Sequence, residues 1–394
     1  MKVHPGARSE SVPMADSRTD IDFTFVDLFA GVGGMRLGFE AIGGRCIYTC
    51  EKDPHARAAY AANFVESSDH AWGEDIEVAV AEDAVPPHNV LLAGFPCQPF
   101  SLAGVSKRNA LGYPHGFECP TQGTMFGYIV DILARHEPEV VLLENVKNLK
   151  SHDGGKTFRT ILGALAELGY DVDHVVINAR RFVPQHRERT FIAGFRDPTA
   201  DGFSFDGLKL PDRDDGPRLA SILHETSGET VAEEPYTIGS PPKVNPKYTL
   251  SPKLWAYLRA YAERHRKAGN GFGYGLVGPE DVSRTISARY YKDGAEILVR
   301  QGRGRRPRRL TPREAARLMG FDVPGVRRWN LPTSDVQAYR QMGNAVVPQV
   351  VEAVARHMKP FIATSLDGDD PAHLPALHTG QLRLRHRPPA AAQA

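Results

Sequence analysis

The segment Phe23-Thr-Phe-Val-Asp-Leu-Phe29-Ala-Gly31-Val-Gly33-Gly34 decides the fold class, because an apolar run leads directly into three glycines. Glycines after a first strand let the backbone turn tightly beside a ligand, with the N-terminus of the next helix behind it. A phosphate-binding loop would continue with Lys-Ser or Lys-Thr, but Met35-Arg36 follows. Arg36 also occupies the third glycine position of the dinucleotide motif, so neither phosphate site is predicted.

The spacing between this loop and the next carboxylate indicates a ribose-binding site. Glu51 stands twenty residues after Gly31, at the end of the second predicted strand, where it can accept hydrogen bonds from ribose hydroxyls. A ligand with an adenosine-type ribose but without a pyrophosphate is favoured. The alternative is that the glycines serve only as turns between elements.

Short apolar runs alternate with helical stretches from Phe23 to about Gly194, which is typical of a parallel sheet flanked by helices. The fold class is therefore predicted to be α/β. The predicted strands are Phe23 to Phe29, Arg45 to Cys50, Asn89 to Gly94, Val140 to Glu144, Asp173 to Ala179 and Thr190 to Phe195.

Composition bounds the class of protein. The 394 residues are 41% hydrophobic and 24% charged, unlike disordered, collagenous or membrane chains. With 48 basic against 47 acidic residues the net charge is +1, so a nucleic-acid partner would require basic residues gathered on one face. No apolar run approaches the ~18 residues of a membrane-spanning helix, and no signal segment is evident. A cytoplasmic protein without a membrane partner is predicted.

The four cysteines are too few and too scattered for a disulfide framework, and no cluster of ligands suggests a metal site. Only Cys97 lies in a sequence context typical of a reactive residue. The strand Asn89 to Gly94 places the segment Phe95-Pro-Cys97-Gln-Pro-Phe-Ser101 at the edge of the sheet where α/β proteins bind ligands. A cysteine there is a candidate nucleophile. Its alternative role is that of a small buried hydrophobic residue.

Charged side chains are predicted at the same edge. Glu144 follows four apolar residues, and burying its carboxylate raises the cost of ionisation unless it is paired. A glutamic acid with a raised pKa beside a cysteine suits covalent attack on a ring that must be protonated. Arg187 and Arg189 enter a strand with a spacing of two, which places both on one face, where they can hold a phosphate and orient a base.

The organisation of the chain follows from local signals. Residues 197–234 carry ten acidic and three basic residues and read as a linker. Ser251-Pro252 predicts a helix to about Lys267, and Lys292-Asp-Gly294 predicts a hairpin turn. Thr311-Pro-Arg-Glu314 predicts a capped helix that ends at Gly320. The predicted divisions are a disordered leader (1–20), a catalytic domain (21–196), a linker with a recognition domain (197–305), a segment completing the catalytic domain (306–365) and a disordered tail (366–394).

Five motifs, taken together and in order, resemble those of the DNA (cytosine-5) methyltransferases. They are Asp27-Leu-Phe-Ala-Gly-Val-Gly-Gly34, Gly94-Phe-Pro-Cys-Gln-Pro-Phe-Ser101, Glu144-Asn-Val146, Gln185-His-Arg-Glu-Arg189 and Gly343-Asn-Ala-Val346. The resemblance implies a Rossmann-like methyltransferase sheet with a smaller DNA target-recognition domain, and S-adenosyl-L-methionine as the methyl donor. That donor agrees with a ribose-binding site that lacks a pyrophosphate. One departure is Ala345, where many relatives have serine.

The resemblance also implies roles for residues. Cys97 would attack C6 of cytosine while Glu144 contacts N3 and the exocyclic amine, and Arg187 and Arg189 would steady the nucleophile, the base and its phosphate. The implied cofactor contacts are Phe29, Ala30, Gly31, Gly33, Gly34, Glu51, Lys52, Asp75, Ile76, Pro96, Met125, Asn344, Ala345 and Val346. A turn residue without contact to the cofactor is the alternative role for Asp75.

Double-stranded DNA is the implied partner, and its target cytosine must leave the stack to react. The implied DNA contacts are Gln98, Ser101, Asn145, Arg259, Arg284, Arg289 and Lys292. Residues 270–298 are similar to the recognition region of bacterial enzymes that methylate CCWGG sites. A separate restriction endonuclease is a further implied partner, and a monomer suffices because one catalytic domain acts on one flipped base.

Two other functions stay open at this point. An RNA cytosine-5 methyltransferase of the tRNA-modifying branch shares the Pro-Cys-Gln loop, although the long second unit is against it. A catalytically silent DNA-binding regulator is the second alternative, and the presence of both Cys97 and Glu144 is against that one.

Overall fold

The computed structural model of the protein describes residues 23–96, 125–196, 202–224, 228, 230–271 and 273–367. Its centre is a seven-stranded sheet with the order β3-β2-β1-β4-β5-β7-β6. The strands are β1 Phe23–Leu28, β2 Gly44–Cys50, β3 Ala71–Gly73, β4 Val90–Ala93, β5 Val140–Val146, β6 Asp171–Asn178 and β7 Glu188–Phe195. All six predicted strands are confirmed. The unpredicted β3 has only three residues and lacks a buried run.

Strands β1 to β5 are parallel, but β7 runs antiparallel between β5 and β6. The predicted parallel sheet is confirmed for β1 to β5, and the antiparallel β7 is a feature that the sequence pattern did not predict. The physical reason is the short connection from Asn178 to Glu188, since a parallel crossover needs about a dozen residues or more. The pairing places Val146 of β5 opposite Arg189 of β7, at the edge where the candidate site lies.

Helices cover both faces of the sheet. The helices of the described residues, including α6 of the second unit, are α1 Gly34–Glu40, α2 Pro54–Ala61, α3 Ile76–Ala81, α4 Met125–His136, α5 Lys156–Glu167, α6 Pro252–Lys267, α7 Pro312–Leu318, α8 Asp335–Asn344 and α9 Pro348–Asp367. Successive residues of β1 point to opposite faces, so Phe25 and Val26 belong to different core clusters. The C-terminal α9 packs against α1, where a Cβ at Gly38 would lie 2.5 Å from the side chain of Val351.

The second unit contains α6, whose predicted bounds are confirmed: the Ser251 side chain accepts a hydrogen bond from the Leu254 N–H and Pro252 occupies the first turn. Its short strands are β8 Thr237–Ile238, β9 Lys243–Val244, β10 Leu276–Val277, β11 Leu298–Val299 and β12 Arg308–Arg309. A small cluster of Leu250, Leu258 and Leu298 forms its own core.

The predicted hairpin at Lys292-Asp-Gly294 is wrong, because residues 288–293 form turns and β10 pairs with β11 in parallel. The segment wraps around the fully buried Tyr290 instead of extending. The Tyr290 hydroxyl donates to the Ile297 carbonyl at 2.6 Å and accepts from the Leu310 N–H at 2.8 Å. Burying this aromatic ring and satisfying its hydroxyl outweigh the local turn signal.

The C-terminal segment returns to the large unit. The capping box at Thr311 and Glu314 is confirmed, and Gly320 lies just beyond α7 with a φ of 74°. Glu314 also forms an ion pair with Arg308, and both side chains are completely buried. Helix α9 runs to Asp367, past its predicted end near Phe361. In the described part of the chain no helix is long and apolar enough to cross a membrane.

Candidate functional site

The loop between β1 and α1 is shaped by left-handed backbone at Phe29, Gly31 and Gly33, with φ values of 56°, 57° and 82°. A Cβ built on Gly31 meets nothing within 4 Å among the described residues, so this part of the loop faces open space. In contrast, a Cβ on Gly33 would lie 2.3 Å from the ring of Phe64. The loop can therefore approach a ligand at Gly31 while its next residues pack against the protein.

Glu51 is fixed by that loop. Its Oε2 accepts the Gly31 N–H at 2.8 Å, and its Oε1 accepts the Asp53 N–H at 2.8 Å. The side chain is half-buried. Each carboxylate oxygen can accept more than one hydrogen bond, so Glu51 keeps acceptor capacity beside the open space. Two ribose hydroxyls are a good chemical match for such a group.

Lys52, Asp75 and Ile76 follow at the next strand ends. Lys52 Nζ lies 2.6 Å from Asp75 Oδ2, and this bond lowers the pKa of Asp75. Asp75 also caps α3 by accepting the Glu77 N–H at 3.1 Å. Ile76 is buried in the core. The cap and ion pair account for Asp75 without a ligand, which favours its alternative role as a turn residue.

The segment leading to Cys97 is anchored from the neighbouring strand. Phe95 is buried and Pro96 is exposed. The Asn145 side chain is 4% exposed, and its Nδ2 donates to the Phe95 carbonyl at 2.8 Å while its Oδ1 accepts the Val146 N–H at 2.8 Å. The structure does not support Asn145 as a DNA contact, because both ends of its amide bind backbone. It holds the backbone just before Cys97.

Three predicted residues of this loop, namely Cys97, Gln98 and Ser101, lie outside the described residues. Met125, which begins α4, is half-buried and packs with Phe29 against the core on one face of the sheet.

Glu144 occupies the predicted edge position. Its side chain is 12% exposed, and Oε1 forms an ion pair with Arg189 Nε at 3.0 Å. Burial raises the pKa of Glu144, and the positive charges of Arg189 and Arg187 oppose that rise. A Cβ at Gly94 would lie 3.5 Å from Glu144 Oε2, so the absence of a side chain at Gly94 leaves room beside the carboxylate.

Arg187 departs from its predicted role. It is 1% exposed, and its guanidinium donates to the carbonyls of Ile286 at 3.1 Å, Gly343 at 2.9 Å and Ala345 at 2.6 Å. Burial lowers its pKa to about 9, which leaves it charged at neutral pH. The expectation of a direct phosphate contact is not supported, because these donors bind backbone. Arg189, with Glu144 beside it, keeps the predicted position.

The last predicted motif meets the first. A Cβ on Gly34 would lie 2.7 Å from the Val346 carbonyl oxygen, so the two loops touch through backbone. Asn344 is exposed, Ala345 is half-buried and Val346 is buried. The C-terminal loop therefore packs against the start of α1, three residues after Gly31. No role was predicted from the sequence for Gln185, although this residue begins the motif that contains Arg187. Its buried side chain binds the backbone of Ile286 and Leu318.

The predicted DNA contacts of the second unit all lie at the surface. Arg259, Arg284, Arg289 and Lys292 are exposed, and the Arg259 guanidinium lies 5.6 Å from the centre of the Trp255 ring. Exposed basic groups of this kind can contact phosphates and base edges. Among the described residues no group of three or more His, Cys, Asp or Glu side chains could hold a metal ion.

Comparison with known proteins gives one consistent family. Residues 23–360 match the family model of the C-5 cytosine-specific DNA methylases. The chain is 47% identical to the DNA-cytosine methyltransferase of Escherichia coli K12 over 385 residues, covering 86% of this chain and 78% of that protein. It is 42% identical to the type II methyltransferase M.NlaX of Neisseria lactamica, covering 88% and 99%.

Solved structures share the fold at low sequence identity. The chain resembles the Dnmt2 methyltransferase of S. pombe with a TM-score of 0.62 at 19% identity, covering 86% of this chain and 99% of that one. It also resembles a putative DNA modification methyltransferase from a prophage of E. coli with a TM-score of 0.55 at 20% identity, covering 86% and 98%.

Proposed function

The chain belongs to the C-5 cytosine-specific DNA methylases, and on this premise we propose that it methylates one cytosine within a short double-stranded DNA sequence through a covalent bond from Cys97. Enzymes of this family transfer a methyl group to C5 of cytosine, and S-adenosyl-L-methionine is the donor. The observation that carries the proposal is the Glu144–Arg189 pair, which lies beside the anchored backbone that leads to Cys97.

The residues present fit the methyl donor. The open space in front of Gly31 accepts a ligand where a Cβ would otherwise stand, and Glu51 offers a carboxylate to a ribose. The backbone of residues 29–31 and of residues 344–346 would enclose it. When bound, S-adenosyl-L-methionine supplies an electrophilic methyl group. Gly34 contributes by letting the two loops meet, and Gly33 by letting the first loop pack against the ring of Phe64.

Each side chain of the site has a proposed task. The Cys97 thiolate forms a bond to C6 of cytosine, and the ring electrons move towards C5 and N3. Glu144 donates a proton or a hydrogen bond to N3, for which a raised pKa is favourable. Arg189 orients that carboxyl group. After C5 is methylated, a base removes the C5 proton, and the electron pair left on C5 expels the Cys97 sulfur and restores the aromatic ring.

This chemistry requires the cytosine outside the double helix, because its C5 and C6 atoms are shielded by stacking. Extrusion costs a few kcal/mol, and groups that fill the vacated space offset that cost. We assign Gln98 and Ser101 to this task, since they lie one and four residues after Cys97 in the sequence.

The second unit is proposed to read the DNA sequence. Arg259, Arg284, Arg289 and Lys292 are exposed there, and a CCWGG-like target follows from the resemblance of residues 270–298. Type II methyltransferases are named among the relatives, so we propose a separate restriction endonuclease as the cognate partner. A monomer in the cytoplasm of a bacterial cell suffices, because one catalytic domain acts on one base.

RNA is the second candidate substrate, and one measurement separates the two. Methyl transfer from labelled S-adenosyl-L-methionine is followed into unmethylated plasmid DNA and into tRNA, with bisulfite sequencing of the DNA. We expect label in DNA only, at cytosines of one short motif, which also identifies the target. Label only in tRNA would establish the RNA enzyme. DNA binding without label in either substrate would establish a silent regulator.

Gly31→Ala is expected to weaken cofactor binding about tenfold or more, because the new methyl group would occupy the open space in front of the loop. The measurement is the Kd of S-adenosylhomocysteine by calorimetry. Gly154→Ala is a matched control: its φ of 61° is close to the 57° of Gly31, and its Cβ also meets nothing within 4 Å among the described residues. Both changes carry the left-handed strain of roughly 1–2 kcal/mol. Equal Kd values for the two variants would contradict the assignment of the pocket.

A further inference from the structure

Two separate segments of the chain are bound by one short stretch that precedes β7. We call residues 283–289 the recognition segment and residues 343–346 the cofactor loop. The Ser283 N–H donates to the Pro184 carbonyl at 2.9 Å, and the His186 N–H donates to the Ser283 carbonyl at 2.9 Å. The recognition segment therefore docks on residues 184–187 through backbone hydrogen bonds.

Both backbone polar groups of Ile286, its N–H and its carbonyl, form hydrogen bonds with side chains of this stretch. Its N–H donates to Gln185 Oε1 at 3.2 Å, and its carbonyl accepts from Arg187 Nη1 at 3.1 Å. Gln185 is completely buried and its Nε2 donates to the Leu318 carbonyl at 2.9 Å. Two side chains of one stretch thus fix one residue of the recognition segment.

Arg187 also forms hydrogen bonds with the cofactor loop. Its Nη2 donates to the carbonyls of Gly343 and Ala345, at 2.9 and 2.6 Å. The two bound segments also touch each other. A Cβ at Gly343 would lie 2.3 Å from the Ala288 nitrogen and 2.3 Å from the Ser287 carbonyl carbon. These distances are too short for any side chain, so a larger residue at position 343 would push the two segments apart.

These contacts make independent movement costly. Releasing either segment leaves buried donors of a charged guanidinium without partners, and hydrogen bonds to a charged group are worth more than neutral ones. The recognition segment presents the exposed Arg284 and Arg289, and the cofactor loop presents the exposed Asn344. A ligand that shifts or orders one segment must therefore change the free energy of the other.

We propose that Gln185 and Arg187 are positioning residues that couple the recognition segment to the cofactor loop, so that DNA and cofactor strengthen each other's binding. Neither side chain touches base or cofactor in this role; both act through the backbone of Ile286, Gly343 and Ala345. The proposal rests on DNA as the substrate, and its test uses a duplex that carries the site mapped by bisulfite sequencing.

The test compares the Kd of S-adenosylhomocysteine without DNA and with a saturating concentration of that duplex. For the unaltered chain we expect the duplex to lower this Kd about tenfold, within the usual range of coupling between sites. The measured quantity is the ratio of the Kd without DNA to the Kd with DNA. This ratio should fall to within about twofold of one in Arg187→Lys, whose side chain cannot reach three carbonyls, and in Gly343→Ala, whose methyl group separates the two segments. The KM values for DNA and cofactor should rise while kcat at saturation changes less.

Matched controls separate coupling from general damage. Arg308→Lys shortens an equally buried arginine that binds Glu314, and Gly163→Ala adds a methyl group on α5 where nothing described lies within 4 Å. Both controls should keep the tenfold ratio. Thr285→Val serves if Arg187→Lys does not fold, since it removes only the hydroxyl that binds the His186 carbonyl. It should give an intermediate ratio.

The outcomes distinguish this proposal from the proposed function. Methylated DNA together with an unchanged ratio in Gly343→Ala and Thr285→Val would overturn the coupling role and leave the enzyme assignment intact. A ratio within twofold of one in the unaltered chain would overturn it as well. Failure of the enzyme assignment shows itself earlier, as an absence of label in DNA.

Discussion

Cys97→Ser is expected to lower methyl transfer to DNA by more than about 10³-fold, the scale on which loss of a covalent nucleophile acts. A thiol at neutral pH is a few per cent thiolate and strongly nucleophilic, whereas a serine hydroxyl remains protonated. The structure supports this expectation through the residues that precede Cys97. The Asn145 amide donates a hydrogen bond to the Phe95 carbonyl and so fixes the backbone two residues before Cys97. Binding of S-adenosylhomocysteine should be unchanged, because the Gly31 loop and Glu51 are untouched.

The covalent step can be observed separately from turnover. With S-adenosyl-L-methionine present, a duplex with 5-fluorocytosine at the target position should form a complex that survives denaturing electrophoresis. Once C5 is methylated, its fluorine cannot leave as a proton does, so the bond from C6 to Cys97 persists. Cys97→Ser should form none. Cys119→Ser, the same change at the other cysteine of residues 97–124, should behave like the unaltered chain. Full activity in Cys97→Ser would refute the covalent mechanism.

Local sequence patterns predict the central sheet well because burial and periodicity act over a few residues. All six predicted strands form, and the caps at Ser251 and Thr311 work as their sequences indicate. Long-range contacts carry no such local signal. The approach of Gly34 to Val346 joins positions more than three hundred residues apart, and only the order of the five motifs anticipates it.

The residues that departed from prediction share one cause. Asn145 and Arg187 are polar residues at the expected edge, and their types suit DNA contacts. In the structure both are buried and bind backbone carbonyls of distant segments. Nothing in a pattern of side chains shows which backbone atoms need partners, yet buried carbonyls must be satisfied. The hairpin at Lys292 failed for a related reason, since burial of Tyr290 decides the path of that segment.

Glu144→Gln is the second large effect, and we expect it to lower the rate of methyl transfer by 10²- to 10⁴-fold, the usual contribution of a positioned acid or base. The amide keeps the shape and can still donate a hydrogen bond, but it cannot deliver a proton to N3. Its matched control is Glu188→Gln on the adjacent strand, where the carboxylate is 42% exposed and pairs with Lys147. That control should retain activity, and a comparable loss in both variants would assign the effect to charge alone.

The dependence of rate on pH tests the same role with a defined sign. An acid acts while it is protonated, so its contribution is present below its pKa and is lost as pH rises through that value. Burial raises the pKa of Glu144, which extends the active range upward from that of an ordinary carboxyl group. Arg189 opposes the rise, so Arg189→Met should move the descending limb of kcat/KM to higher pH, while Glu144→Gln should remove that limb. A limb that persists unchanged in Glu144→Gln would mean that another group delivers the proton.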